Sequence, residues 1–349
     1  MIVLIRADAT LDSGTGHVMR CAALGIRLAA RGVQVNFACA TLPPSLEEWL
    51  RARDLRVHLL PDVKYGDWQA DLRQTAVVAS KVGGVDLLVV DHYGLGHEWE
   101  HGMRDNAHRI LVIDDLADRD HDCDLLLDQN LRADAATRYG GRVQAGTRQF
   151  IGPRFALLRT EFDDPALLRR RDGALRQLLV IFGGTDPGYQ SLKVIDALRL
   201  LGESAPTTML VLGPAHPGRE AAHTRAAGLQ CLTILDATDH MAVLMAQADL
   251  AIGTCGVAAW ERCALGLPSL VAITAENQRE DAEILHALGA VRNLGDADRL
   301  DAAQWAMALR HLLDDPAHLK AMGKTSATVM AERARALVEL EEALFDGGC

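Results

Sequence analysis

Apolar runs of strand length alternate with helix-like segments along most of the 349 residues, and this alternation restricts the fold more than any other feature. Met1–Asp8 opens the chain as a short strand with a polar exit. Val33–Ala38, Val57–Leu60, Asp86–Val90 and Ile110–Ile113 read as further strands, with Gly16–Ala30 and Leu46–Arg53 as helices between them. Leu125–Leu127 and Gln149–Ile151 add two short strands. Such a βαβα rhythm implies a parallel sheet with helices on both faces. Over Gly152–Gly173 the pattern breaks into Pro, Arg and Asp, and then it restarts. Gln177–Phe182, Thr208–Leu212, Leu232–Leu235, Leu250–Ile252 and Ser269–Ile273 read as strands. Tyr189–Leu201, Met241–Ala248, Val257–Leu265 and Asn277–Leu288 read as helices, and Ala302–Phe345 as wholly helical. A chain this long exceeds one ordinary core. The expected architecture is α/β: two Rossmann-type domains with parallel sheets and an interdomain cleft. Residues 1–155 form the first, 156–175 a linker, and 176–349 the second, with its helical tail packed outside or crossing back to the first domain.

Composition narrows the function classes. The net charge of −11 and the lack of a basic, aromatic-interleaved stripe argue against a nucleic-acid partner. Arg169-Arg170-Arg171 reads as a solvated linker rather than a membrane-surface patch. The seven cysteines include no CxxC pair, and their odd number argues against a disulfide framework. They suit a reducing compartment. The first apolar run ends at Arg6 and Asp8, unlike a signal peptide, and no run reaches bilayer length. A cytoplasmic location without stable membrane association is expected.

Several strand exits carry chemistry. Ligands of open α/β sheets collect at the carboxyl edge of the strands. There, between the first strand and the first helix, stands Ser13-Gly14-Thr15-Gly16-His17, followed by Val18-Met19-Arg20. Gly14 and Gly16 permit a tight turn and close backbone approach. The helix N-terminus disfavours imidazolium and favours a neutral, proton-accepting ring. Locally, a catalyst and a helix-start cap explain His17 equally well. Asp8 and the strand exits Asp91-His92-Tyr93 and Asp114-Asp115 would face the same side. The Asp pair suits general-acid work, metal binding or simple capping, and no second His/Asp cluster has clear metal spacing. His92, His97, His101, His108 and His121 read as surface or loop residues. Asp128-Gln129-Asn130 lines the site or turns the chain.

In the second half, Gly183-Gly184-Thr185-Asp186 joins a strand to a helix and offers amides and a hydroxyl to an anion, or is only a turn. It lacks the Walker lysine and the GxGxxG spacing. Gly253-Thr254-Cys255-Gly256-Val257 repeats the strand–loop–helix arrangement and can take a diphosphate on backbone amides. Glu261, one turn later, can accept hydrogen bonds from two ribose hydroxyls. Asn277 and Gln278 offer amides for sugar or phosphate oxygens, or cap a helix.

Taken in order along the chain, these pieces, with Gly152-Pro153 and Leu157-Leu158-Arg159, resemble one family: the nucleotide-sugar hydrolases of the pseudaminic acid pathway. That family cleaves UDP-2,4-diacetamido-2,4,6-trideoxy-β-L-altropyranose. It is related to GT-B glycosyltransferases such as the lipid II-forming N-acetylglucosaminyltransferase. Cys255 and His92 stand where relatives carry other residues, and the helical tail extends beyond compact members.

The resemblance implies a GT-B-like fold and a metal-independent, inverting hydrolase without a cofactor. It implies that His17 is the general base that directs water onto the anomeric carbon and expels UDP. Gly14, Gly16, Arg20, Tyr93, Asp8, Asn277 and Gln278 would hold the substrate. Gly183, Gly184, Thr185, Thr254, Cys255, Gly256, Val257 and Glu261 would hold UDP. A role in nonulosonic acid synthesis and flagellin glycosylation follows from the same likeness. The rival readings are a GT-B glycosyltransferase, a hydrolysing 2-epimerase, and a non-catalytic nucleotide-sugar binding module.

Overall fold

The computed structural model describes all residues except 10–13, 184, 185, 187, 214, 215, 237 and 347–349. The chain divides into two compact units. One comprises Met1–Thr160 with the chain from Glu332 onward, and the other Glu161–Ala331.

The first unit carries strands β1 (Ile2–Ala7), β2 (Gln34–Cys39), β3 (Arg56–Leu59), β4 (Val85–Asp91), β5 (Ala107–Ile113), β6 (Leu125–Asp128) and β7 (Arg148–Ile151). Its helices are α1 (Gly16–Ala30), α2 (Pro44–Arg51), α3 (Trp68–Lys81) and α4 (His97–Met103). The strands form one parallel sheet in the order β3-β2-β1-β4-β5-β6-β7. Strand order therefore reverses between β1 and β4, the point at which open α/β sheets leave a crevice. Residues of both sheet faces are buried, so β1 and β4 read as nearly unbroken Val, Ile and Leu.

The second unit repeats the plan with β8 (Gln177–Ile181), β9 (Thr207–Val211), β10 (Leu232–Leu235), β11 (Leu250–Gly253), β12 (Ser269–Ile273) and β13 (Val291–Asp296). Its helices are α5 (Gln190–Leu201), α6 (Arg219–Ala226), α7 (Met241–Gln247), α8 (Val257–Ala264), α9 (Arg279–Leu288), α10 (Ala302–Asp314) and α11 (Pro316–Val329). The order β10-β9-β8-β11-β12-β13 is again wholly parallel and reverses between β8 and β11.

Two features of the sequence reading change. The expected continuous helix over 302–345 is three helices. Asp315 caps α11 and Pro316 begins it, because proline cannot continue α10. The last helix, α12 (Arg333–Phe345), belongs to the first unit rather than to a 176–349 domain. Ala336, Leu340, Ala343 and Leu344 lie in that unit's core beside Leu24, Leu28 and Phe155. Nor are the linker arginines simply solvated. Arg171 donates to the carbonyls of Met245, Ala248, Leu265 and Gly266, and Arg169 pairs with Asp249 at 2.6 Å while reaching the carbonyl of Ala248. These cations sit where helices α7 and α8 present their unpaired terminal carbonyls.

Candidate functional site

In the first unit, the loop after β1 and the end of β4 converge on one ion network. Thr15 precedes α1 without capping it through its side chain, which leaves the helix start open. His17, in the first turn, is nine-tenths buried. Its Nδ1 lies 2.5 Å from Oδ1 of Asp91, the last residue of β4. Burial raises the Asp91 carboxyl, but Arg20 and His17 beside it outweigh burial and hold it well below the carboxylate range. An ionised Asp91 only accepts, so the short contact to it assigns the hydrogen to Nδ1 and leaves Nε2 as the nitrogen able to accept, with Arg20 Nη2 also 3.2 Å from Nδ1. Among the described residues Nε2 has no hydrogen-bond partner.

Arg20, one turn further along α1, is spent on this network. Its Nε and Nη2 donate to Asp91, both at 2.6 Å, and its Nη1 and Nη2 donate to Asp115 at 2.9 and 2.8 Å. Burial also raises Asp115, and Arg20 more than offsets it. Tyr93 Oη donates to Asp115 at 2.9 Å, and its ring stands edge-on to His17 with centroids 4.6 Å apart. Asn130 Nδ2 donates to Asp115 at 2.8 Å and to Asp128 at 2.9 Å. The structure thus joins His17, Arg20 and Tyr93 with Asp91, expected on the same side, with Asp115, read as acid, metal ligand or cap, and with Asn130, read as lining the site or turning the chain. Arg20, expected to hold substrate, here has its guanidinium held between Asp91 and Asp115.

Asp8, expected to hold substrate, has partners within the unit. Its Oδ1 accepts from the Ala40 and Thr41 amides at 2.7 and 3.0 Å. Its Oδ2 accepts from Arg6 at 2.8 Å, and His92 Nε2 lies 3.3 Å away. These bonds tie the exits of β1 and β2 together and use the carboxylate's acceptor positions within the unit. His92 and His121 are buried, not surface residues, whereas His97, His101 and His108 are exposed. Burial lowers the His121 imidazole, yet Asp114 and Glu100 push it up to about 9. Asp114 also accepts from the Ala117 amide and from Tyr139 Oη, so it fixes a turn. Gly14, at φ +69°, occupies the left-handed region its position requires.

Two helix starts at the carboxyl edge of the second unit, those of α5 and α8, flank the β8/β11 reversal, and they differ. At α5, Asp186 accepts from the amides of Gln190 at 3.0 Å and Ser191 at 2.8 Å, with His216 Nε2 at 3.2 Å from its carboxylate. The chain's own carboxylate therefore takes the first two amides of α5. Gly183 is exposed in that loop, and Gly184 and Thr185 lie outside the described residues.

At α8, Gly256 precedes the helix and no side chain caps it. Gln278 Nε2 lies 3.7 Å from the position a Gly256 side chain would take, so Gln278 and this loop are neighbours. Thr254, Gly256 and Val257 are partly exposed. Cys255 points inward, and burial pushes its thiol up to about 12, so only its backbone faces the loop. Glu261 is buried in α8, and Asn277 is exposed in the turn before α9. The arrangement offers unpaired amides and a carboxylate along one helix, suited to a diphosphate and a polyol.

No family model matches the chain. It is 27% identical over 301 residues to the spore coat polysaccharide biosynthesis protein SpsG of Bacillus subtilis, with 84% of each covered. It is 28% identical over 201 residues to the UDP-2,4-diacetamido-2,4,6-trideoxy-beta-L-altropyranose hydrolase of Campylobacter jejuni, covering 57% of this chain and 66% of that one. Among solved structures, MurG of Acinetobacter baumannii matches with a TM-score of 0.67 at 15% identity, over 98% of this chain and 99% of that one. Phytolacca americana UGT2, solved with UDP-2fluoro-glucose and pterostilbene, matches at 0.68 and 14% identity, over 98% of each chain. The fold is GT-B. At these structural identities the likeness concerns the fold; chemistry has to be argued from the residues.

Proposed function

We propose that the chain is a nucleotide-sugar enzyme that cleaves the anomeric C–O bond of a UDP-sugar by hydrolysis. The observation that carries this reading is the His17–Asp91 pair at the β1/β4 reversal, with Nδ1 held at 2.5 Å and Nε2 left to accept a proton. Water attacks the anomeric carbon as His17 Nε2 takes its proton, and UDP leaves from the opposite face with inversion. Asp91 holds the ring in the required tautomer and stabilises the imidazolium as it forms, as an aspartate does in a Ser-His-Asp triad. Arg20 and Asp115 hold Asp91, so the base is set by a rigid ion network rather than by a loop. The second domain recognises UDP: the open amides at α8 take the diphosphate, and Glu261 takes the ribose. The hydrolase relative favours a UDP-linked 2,4-diacetamido-2,4,6-trideoxyhexose as the sugar nucleotide and nonulosonic acid synthesis as its context.

Glycosyl transfer is the second reading, favoured by the fold shared with glycosyltransferases. The same base would then deprotonate an acceptor hydroxyl. UDP release from the sugar nucleotide alone, without any acceptor, separates the two. His17→Asn should cut turnover by on the order of 10²–10⁴-fold, the usual worth of a general base, while calorimetric UDP affinity stays within threefold. A fully active variant would remove His17 from the mechanism.

A further inference from the structure

Arg262 is the feature of the second domain that nothing above uses. It lies in α8, six residues into the helix, and is 1% exposed. Helical side chains lean toward the helix N-terminus, which brings its guanidinium back beneath the loop between β11 and α8. Nη2 donates to the Thr254 carbonyl at 2.5 Å. Nη1 lies 3.2 Å from where a Cβ on Gly253 would stand, and that same position is 2.4 Å from the Ile181 carbonyl at the end of β8. The guanidinium therefore sits at the β8/β11 reversal of strand order, directly below the open start of α8. Its Nε and Nη1 have no hydrogen-bond partner, and it forms no ion pair with a carboxylate among the described residues. Its electrostatic neighbours are Cys255, Cys263 and the carboxylate of Glu261, which lies out of ion-pair contact; burial pushes both thiols up to about 12, so they do not balance it.

A buried charge with no carboxylate in contact is costly, and folded proteins keep one only where something offsets it. The helix start above it is the one place here where an anion gains from amides, dipole and guanidinium together. We infer that Arg262 is the buried countercharge for the diphosphate of a nucleoside diphosphate bound at the α8 N-terminus. It acts through the loop it pins rather than by touching ligand, so it is a positioning and electrostatic residue. Gly253 serves the same end: a side chain there would strike the Ile181 carbonyl and crowd Nη1. The inference rests on the proposed reading of α8 as the UDP site, and it extends that reading to a residue buried beneath the loop.

The test compares Arg262→Met and Arg262→Lys in the full chain, using UDP, inorganic pyrophosphate and uridine as calorimetric probes, with Tm measured without ligand. For Arg262→Met, UDP and pyrophosphate affinities should fall by on the order of 10–100-fold, the effect of one charge several ångströms away at an intermediate effective dielectric. Uridine affinity should stay within threefold, and the ligand-free Tm should equal or exceed that of the parent protein. Arg262→Lys should recover most of the lost pyrophosphate affinity. Equal losses for uridine and UDP, unchanged UDP affinity in Arg262→Met, or collapse of its ligand-free fold would each make Arg262 a structural strut and overturn the inference. Failure of the parent protein to bind UDP while it binds pyrophosphate in an Arg262-dependent way would retain the anion site and overturn only the nucleotide reading.

Discussion

Helices α5 and α8 begin alike in sequence and end up unlike in chemistry. Each follows a buried strand and a glycine-bearing loop at the carboxyl edge of the same sheet. At α5 the loop carries Asp186, whose carboxylate folds onto the first amides of the helix. At α8 the equivalent place is Gly256, which has no side chain to fold back, and a cation lies beneath instead of a carboxylate above. The lesson is that a Gly-rich strand–helix turn is not an anion site until the charges of its own loop are counted. The first domain repeats the contrast with two histidines. His121 is fully buried with Glu100 at 2.7 Å from its Nδ1 and Asp114 at 3.8 Å from its Nε2, while His17 faces a carboxylate on Nδ1 only among the described residues.

The sharpest way to break the comparison is to turn α8 into α5. Gly256→Asp is sterically permitted, since φ there is −86° and the nearest atom to its new Cβ is at 3.7 Å. Its carboxylate should cap the helix and repel the diphosphate, lowering UDP affinity by about 10–100-fold. Titration calorimetry checks this; undiminished UDP binding would move the nucleotide away from α8. A smaller effect is expected from the reverse lesion. Asp186→Ala should cost about 0.5–2 kcal/mol of stability, as loss of a helix cap does, and leave UDP affinity within twofold. Chemical denaturation and calorimetry on the same sample decide it, and a large affinity loss would return the Gly183 loop to the site.

The third effect is a pH dependence. His121 has its pKa raised on folding to about 9, so its contribution is fully present below the unfolded value of about 6.5 and is lost as pH rises through about 9. Stability of the parent protein should therefore decline over that window, and His121→Gln should flatten the decline. An identical pH profile for both would show that the Glu100–His121 pair is not a charged one.

Much of this fold was legible because strands buried on both faces must be apolar throughout. The same logic explains the omissions. β13 is an edge strand reading Val-Arg-Asn-Leu-Gly-Asp, with little apolar signal, and α6 buries only Ala222. For the site, His17 stood out because glycines frame it locally. Its partners Asp91 and Asp115 come from strand ends far along the chain, and only the topology brings them together. Asp8 reads in sequence only as a polar strand exit, and its bonds to the neighbouring backbone depend on the adjacent strand β2. Arg262 gave no signal, since an arginine in a helix ordinarily reads as a solvated surface residue and its burial depends on the whole domain.

The central claim is that His17, oriented by Asp91, activates water against an anomeric carbon. The most direct measurement is incubation of the protein with UDP-2,4-diacetamido-2,4,6-trideoxy-β-L-altropyranose in ¹⁸O-labelled water without acceptor, with mass spectrometry of both products. The account predicts free UDP without label and a sugar labelled at C1, with both absent for His17→Asn. Label on the phosphate would mean P–O cleavage and contradict it.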